Sequence, residues 1–420
     1  MNITSEMQAQ WSLQQWLEYL ENIHHRPIDM GLTRVQAVAQ KLQMLTPAAT
    51  VITVAGTNGK GSTVRYLEQI LLAAGYSVAC YTSPHIHRYE ERVRYNGAEL
   101  NAAQHAQAFH AIEQARGEIS LTYFEFGTLA AIWLCQQLQP QVIVLEVGLG
   151  GRLDAVNVIE PDVAIVTSVG IDHIEFLGDN REDIGFEKAG IFRAAKPAIC
   201  GEPEPPQRLL QHAKSIGAQL SCVNQDFSAA RSEREFDFIG PIDTWKNLPL
   251  PSLPFVNAIT ALAAMQLSGL TINREHVIKG LQTATLTGRM QQVASAPTVI
   301  LDVAHNPQAA SYLAQELAIR FPQQPIYAVC GMLRDKDHQA TLAALQALVK
   351  HWYLASLPGE RGANAEQLAG ALPAASECTL FTTPAEAFTQ ATADASKDSV
   401  IVCFGSFLTV AAVQDVVTAG

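Results

Sequence analysis

The chain has 420 residues, enough for two domains, and 48% hydrophobic against 16% charged residues describes a folded globular protein rather than a disordered one. A formal net charge of -12 and a pI near 5.5 argue against a nucleic-acid partner, which needs a basic face, but do not exclude a nucleotide met by a local lysine and Mg²⁺. The seven cysteines form no C-x-x-C pair, the polar start is no signal peptide, and no apolar run nears the ~18 residues of a membrane helix, so a soluble cytoplasmic protein with buried reduced thiols is expected.

Short β-branched runs alternate with longer helical segments, the pattern of an α/β protein on a mostly parallel sheet. The first predicted strand, 51–55, runs into VAGTNGKGSTV, and Val64, Leu67, Ile70 and Leu71 at helical spacing predict a helix over 61–74. Strand, glycine turn and helix in that order let backbone N–H groups and a helix N-terminus converge on an anion, while Lys60 neutralises phosphate charge. The loop departs from G-x-x-x-x-G-K-[ST], because Gly56 sits one residue too close to Gly59 and Lys60, and Gly61 follows the lysine. The guanine-specifying N-K-x-D is absent, so ATP is the expected nucleotide.

Further strands are predicted at 77–81, 142–147 and 163–168, as continuous apolar runs covered on both faces. From 201 to 254 the chain is irregular and proline-rich, and peripheral structure is expected there. A helix is predicted over 254–270, and LTGRMQQVASAP reads as a turn. A second alternating series then predicts strands at 298–304, 325–330, 352–356, 379–382 and 399–405 with a helix between each pair, which suits a small doubly wound domain. The domains are set at 1–288 and 289–420.

The loop GTNGKGS, Gly56 to Ser62, resembles the phosphate loop of the Mur ligase superfamily and, within it, of the folylpolyglutamate synthase family. The short glycine spacing and the glycine after the lysine are usual there. The likeness continues in order through TSPHIHRYEERVR, LEVGLGGRLDAVN, SVGIDHIEFLG, FEKAGIFR, TGRMQ, LDVAHNP and FGSFLTV, nearly the whole chain. It departs at Val156, where threonine is usual, and at Thr287, where proline is. The implied fold is a P-loop ATPase domain with a mostly parallel sheet, of the Mur ligase central-domain type, plus a smaller Rossmann-like C-terminal α/β domain. The implied reaction joins L-glutamate to dihydropteroate and to the γ-carboxyl of folates, using ATP and an acyl phosphate, in folate biosynthesis.

By the same resemblance, Gly56, Thr57, Asn58, Gly59, Lys60, Gly61, Ser62, Asn257, Arg289 and Asp302 would meet ATP. Ser83, Glu146 and His173 would ligate Mg²⁺, and the histidine suits a site with a second ion or one tolerating Mn²⁺. Lys188 in FEKAG would be carbamylated, although from the residues alone a surface ion pair with Glu187 or Asp183 is the plainer reading. Asp29, Met30, Gly31 and Leu32 would contact the pterin, as would Thr122, Tyr123, Phe124 and Glu125, and Leu153, Asp154 and Ala155. The Asp29 segment favours the bifunctional bacterial branch of the family. Lys60, Lys188 and His305 would be catalytic, and His305 and Ser406 would receive glutamate, though His305 could equally cap the helix beside Pro307.

Two other readings compete. A cell-wall Mur ligase would need a further N-terminal domain, and only about 50 residues precede the loop, too few for one. A P-loop switch protein would need neither Glu146, His173 and Lys188 nor a second α/β domain. Histidines 24, 25, 85 and 87 lack the third ligand a zinc site requires. The expected partners are small molecules, with neither nucleic acid nor membrane, and no pattern suggests a coiled coil, which points to a monomer.

Overall fold

The computed structural model describes residues 5–26 and 28–419. Two compact units divide the chain, one ending at Ala284 and the other beginning at Thr285. The first is built on an 8-stranded sheet in the order Ala98–Glu99, Val93–Tyr95, Val78–Tyr81, Val142–Glu146, Thr50–Ala55, Val163–Val166, Pro197–Cys200 and Gln219–Cys222. Neighbouring strands run parallel except at the edge hairpin of Val93–Tyr95 and Ala98–Glu99. Thr50–Ala55 is thus interior, buried from Val51 onward, and its C-terminal end opens where ligands of such sheets bind.

The stretch 201–254 is more ordered than its composition suggests. It holds the helix Gln207–Ile216, the strand Gln219–Cys222 that completes the large sheet, and a separate 3-stranded antiparallel sheet of Ser228–Arg231, Glu235–Ile239 and Thr244–Pro249. In EFDFI the buried Phe236 and Phe238 alternate with outward residues and pack with Trp245 and Phe255. That alternation spans only a few residues between turns, which is why the proline and polar background hid it.

The second unit carries a 6-stranded sheet in the order Gln291–Ser295, Thr298–Leu301, Val400–Phe404, Ile326–Cys330, Val349–Ala355 and Cys378–Phe381. Gln291–Ser295, within the segment read as a turn, is a polar edge strand pairing antiparallel with Thr298–Leu301; the remaining pairs are parallel. The helices Pro307–Arg320, His338–Ala343, Ala365–Ala371 and Pro384–Asp394 fill the crossovers. Alternate residues feed two cores: Ile300, Trp352 and Phe404 lie in one, Leu301, Tyr353 and Cys403 in the other. Covering both faces produces the unbroken apolar runs seen in the sequence. All seven cysteines are free, and Cys378 is exposed where burial was expected. Among the described residues, no helix is long and apolar enough to cross a membrane.

The helix Lys60–Ala73, which leaves the phosphate loop, is tied to the edge hairpin by a buried charge. Glu68 is fully buried and receives Arg94 Nη2 at 3.0 Å and Arg65 Nη1 at 2.8 Å. Burial alone would raise its pKa, but the two guanidiniums, Arg94 foremost, hold the carboxyl below its usual range. Arg94→Met leaves that carboxylate short of its main partner and is expected to lower the unfolding free energy by about 3–5 kcal/mol, measured by urea denaturation at pH 7. Because the folded pKa is depressed, the wild-type contribution is present above the unfolded pKa and fades as pH falls through the carboxylate range. The gap between variant and wild type should therefore narrow in acid. A gap independent of pH would contradict the role given to Glu68.

Candidate functional site

The phosphate loop begins where Thr50–Ala55 ends. Gly59, with φ +86°, precedes the helix Lys60–Ala73, and a Cβ there would lie 2.4 Å from Asn257 Oδ1. Only glycine permits both the left-handed turn and that close approach. Asn257, 4% exposed on the helix Phe255–Leu267, is thereby brought against the loop. The chain after Val163–Val166 braces the loop from the adjacent strand. Thr167 Oγ1 donates to Asn58 O at 2.6 Å, Thr57 N to Ser168 O at 2.9 Å, and Asn58 N to Ser168 Oγ at 3.0 Å. Lys60 Nζ folds back to donate to Gly56 O at 2.9 Å and Thr57 O at 3.2 Å. Just beyond it, the hydroxyls of Ser62 and Thr63 are buried without a hydrogen-bond partner among the described residues.

Glu146 ends the neighbouring strand, buried, and accepts Ser83 N at 3.1 Å. Two of the three expected metal ligands therefore meet. His173 is exposed at the start of the short helix Ile174–Leu177, with φ 53° and its amide bonded to Asp172 Oδ1. Among the described residues, no group of three or more His, Cys, Asp and Glu side chains is placed to hold a metal ion. A buried carboxylate suits Mg²⁺, which commonly takes one or two carboxylates and leaves the rest of its shell to water and phosphate.

Lys188, on the helix Arg181–Ala189, is buried at 3% exposure and forms neither surface ion pair that its neighbours offered. Glu187 instead receives Arg152 at 2.8 Å, and Asp183 is paired with Arg208. Burial, and then the charge of Lys60, push the Lys188 amine down to about 7, against the pull of Asp172 and Asp154. Burial raises Asp154 to about 6, opposed by the amides of Leu149, Val156 and Gly148 and by Lys60. Both its oxygens are engaged, Oδ2 by Leu149 N at 2.8 Å and Oδ1 by Val156 N at 2.9 Å. The departure at Val156 puts its side chain, fully buried, into the apolar core.

The three segments expected at the pterin converge. Gly31 N donates to Leu153 O at 3.2 Å, and Arg34 joins Asp29 to Glu125. Thr122 caps the helix Tyr123–Leu138 in a reciprocal box with Glu125. Tyr123 and Phe124 are half-buried, and the Phe124 ring lies so near Gly148 that a Cβ there would be 2.4 Å from Phe124 Cζ. Flat aromatic surface at the end of a sheet can take a planar ring.

In the second unit Asp302 follows the strand Thr298–Leu301 and accepts Met290 N and Ala304 N, each at 2.8 Å. Burial raises its pKa, opposed first by Arg289, whose guanidinium sits 5.7 Å from the Phe407 ring centroid. His305 Nδ1 pairs with Val303 O at 2.8 Å, and the cap of the helix Pro307–Arg320 is Asn306, not His305. Ser406 Oγ accepts Thr409 N at 3.0 Å, so it also anchors the start of the helix Phe407–Ala419. Thr167, Ser168 and Arg34 escaped the sequence reading as individual residues. The hydroxyl pair directly after an apolar strand was the signal for the first two.

Residues 54–202 match the Mur ligase middle domain and residues 288–407 the Mur ligase glutamate ligase domain. The chain is 50% identical over 420 residues to the dihydrofolate synthase/folylpolyglutamate synthase of Escherichia coli K12, covering 100% of this chain and 99% of that one. The solved structure of E. coli FolC in complex with DHPP and ADP matches with a TM-score of 0.96 at 50% identity, over 98% of this chain and 99% of that one. A bifunctional folylpolyglutamate synthase/dihydrofolate synthase with Mn, AMPPNP and L-glutamate bound matches at 0.92 and 47% identity, over 98% and 99%.

The contact between Gly59 and Asn257 generates a direct expectation. Gly59→Ala forces a Cβ into the Asn257 amide at positive φ, so its affinity for ADP, read by calorimetry, should fall at least tenfold with little loss of thermal stability. An unchanged affinity would show that the loop does not need that close approach.

Proposed function

The chain belongs to the dihydrofolate synthase/folylpolyglutamate synthase family, built on Mur ligase domains, and from that membership and the site geometry we infer its reaction. It is an ATP-dependent ligase that joins L-glutamate to dihydropteroate and extends folates at the γ-carboxyl. Supporting this is one observation above the others: the three segments expected at the pterin are bonded together, Gly31 N to Leu153 O and Arg34 to both Asp29 and Glu125, in the unit whose interior strand Thr50–Ala55 runs into the phosphate loop. The neighbouring strand ends in Glu146, which accepts Ser83 N.

A carboxylate resists attack by an amine, because its charge repels the nucleophile and oxide cannot leave. Phosphoryl transfer from ATP to that carboxylate gives an acyl phosphate, and the glutamate amine then displaces phosphate to form the amide. Such chemistry runs on positioning and charge neutralisation. We assign the phosphates to the loop amides and Lys60, which exchanges its bonds to Gly56 O and Thr57 O for the nucleotide. Asn257, Arg289 and Asp302 are further residues we assign to the nucleotide. Ser83, Glu146 and His173, with the orphaned Ser62 hydroxyl close to the loop, are the groups that would hold Mg²⁺ or Mn²⁺. The ion supplies neutralisation of phosphate and carboxylate charge. Phe124 and Tyr123 carry the pterin ring, and His305 and Ser406 are assigned to glutamate.

Lys188 fits the family's carbamylated lysine. Its amine is buried beside a second cation, so the neutral and anionic forms relieve repulsion that the ammonium suffers. Neutral amine adds CO₂ with loss of one proton, and the carbamate supplies anionic oxygen donors. With a pKa of about 7 the amine is about one tenth neutral at pH 6 and about nine tenths at pH 8. A ¹³C carbamate signal from labelled bicarbonate should accordingly build up at pH 8 and be weak at pH 6, and be absent in Lys188→Ala. That variant should lose most activity, with partial rescue by small carboxylic acids; full activity without them would remove Lys188 from the site.

The reaction itself is tested by phosphate release from ATP with glutamate and either dihydropteroate or tetrahydrofolate. Release with both acceptors is expected. Release with neither rejects the reading, and release only with a UDP-linked muropeptide moves the chain to the cell-wall branch.

A further inference from the structure

Arg34 lies in the first turn of the helix Thr33–Lys41, directly after the Asp29 to Leu32 segment. Its guanidinium spans parts of the chain far apart in sequence. Nη1 meets Asp29 Oδ2 at 2.7 Å, and Nη2 donates to Asp29 O at 2.7 Å and to Glu125 Oε1 at 2.9 Å. Asp29 Oδ2 also faces His24 Nε2 at 3.4 Å, and His24 Nδ1 pairs with Ser120 Oγ at 2.6 Å. Glu125 is 4% exposed, and its other oxygen accepts Thr122 N at 2.8 Å. Little water can replace the guanidinium on that carboxylate. The third segment is attached through Gly31 N to Leu153 O. Arg34 therefore bonds two of the three converging segments, with the third held through the first.

We propose that Arg34 is a positioning residue for the pterin substrate, setting the distance between the Asp29 and Thr122 segments. The proposal rests on the assignment of those segments to the pterin. Arginine is needed because a planar fork can hold a carboxylate, a carbonyl and a second carboxylate in fixed directions, whereas an ammonium is a point charge without that geometry. Loss of the fork leaves Glu125 buried without its cation, which unlatches the reciprocal box at Thr122 and frees Tyr123 and Phe124 to shift. The effect falls on pterin binding, since the phosphate loop is braced by other groups, Thr167, Ser168 and Asn257.

The test compares steady-state kinetics of Arg34→Met, Arg34→Lys and Phe124→Ala. Arg34→Met should raise KM for dihydropteroate about 10- to 100-fold while KM for ATP stays within about twofold, and Arg34→Lys should fall between it and wild type. Equal rises in both KM values would assign Arg34 to general stability and overturn the proposal. So would a wild-type dihydropteroate KM in Arg34→Met when Phe124→Ala raises it. If Phe124→Ala also leaves that KM unchanged, the pterin assignment falls and the proposal with it. Should Arg34→Met fail to fold, Arg34→Lys decides alone: a dihydropteroate KM equal to wild type overturns the role.

Discussion

Two lysines close enough to repel each other, Lys60 of the phosphate loop and Lys188 of the helix Arg181–Ala189, set the electrostatics of the first unit's functional edge. Lys188 has almost no water to share its charge with, so its proton is held loosely. The backbone on either side of it is closely packed. A Cβ at Gly151 would come within 2.8 Å of Glu187 O and 2.9 Å of Lys188 O, and Arg152 N already donates to Glu187 O at 2.8 Å. Asn157 Nδ2 adds a bond to Gly190 O at 3.2 Å. A buried ammonium in the field of a second positive charge is favoured to become neutral or anionic.

Asp154 answers the same field with the opposite sign. Burial favours its protonated form, and the amides of its own loop together with Lys60 favour the carboxylate. The loop from Gly148 to Asn157 touches both neighbourhoods: Arg152 N donates to Glu187 O on the helix of Lys188, Leu153 O accepts Gly31 N, and Gly148 lies against the Phe124 ring. A ligase must activate one substrate only when it is held where the next can attack, and this loop places both neighbourhoods on one piece of backbone.

Some of this could be read from short stretches of sequence. The phosphate loop was legible because its backbone must turn through positive φ at Gly59 and approach Asn257, and only glycine allows it. The parallel strands were legible because cover on both faces demands continuous apolar runs. The small sheet of 228–249 and the edge strand Gln291–Ser295 were not, since strands with one wet face and four to six residues give weak alternation. Nor was the Arg34 clamp, whose partner Glu125 lies 91 residues away from it in the chain. Ser406 shows the converse, a motif residue whose hydroxyl also serves the backbone of the next helix.

Sequence alone determined the α/β class, the positions of the main strands along the chain, the glycine turn between strand and helix and the family, because each depends on residue types within a few positions of one another. Tertiary structure decided which charges are buried together. Lys188 looks like a surface lysine beside two acids until the fold sends Glu187 to Arg152 and Asp183 to Arg208 and leaves the amine buried in the field of Lys60. Proton affinity is set by solvent and by neighbours in space, and neither is written in the order of residues.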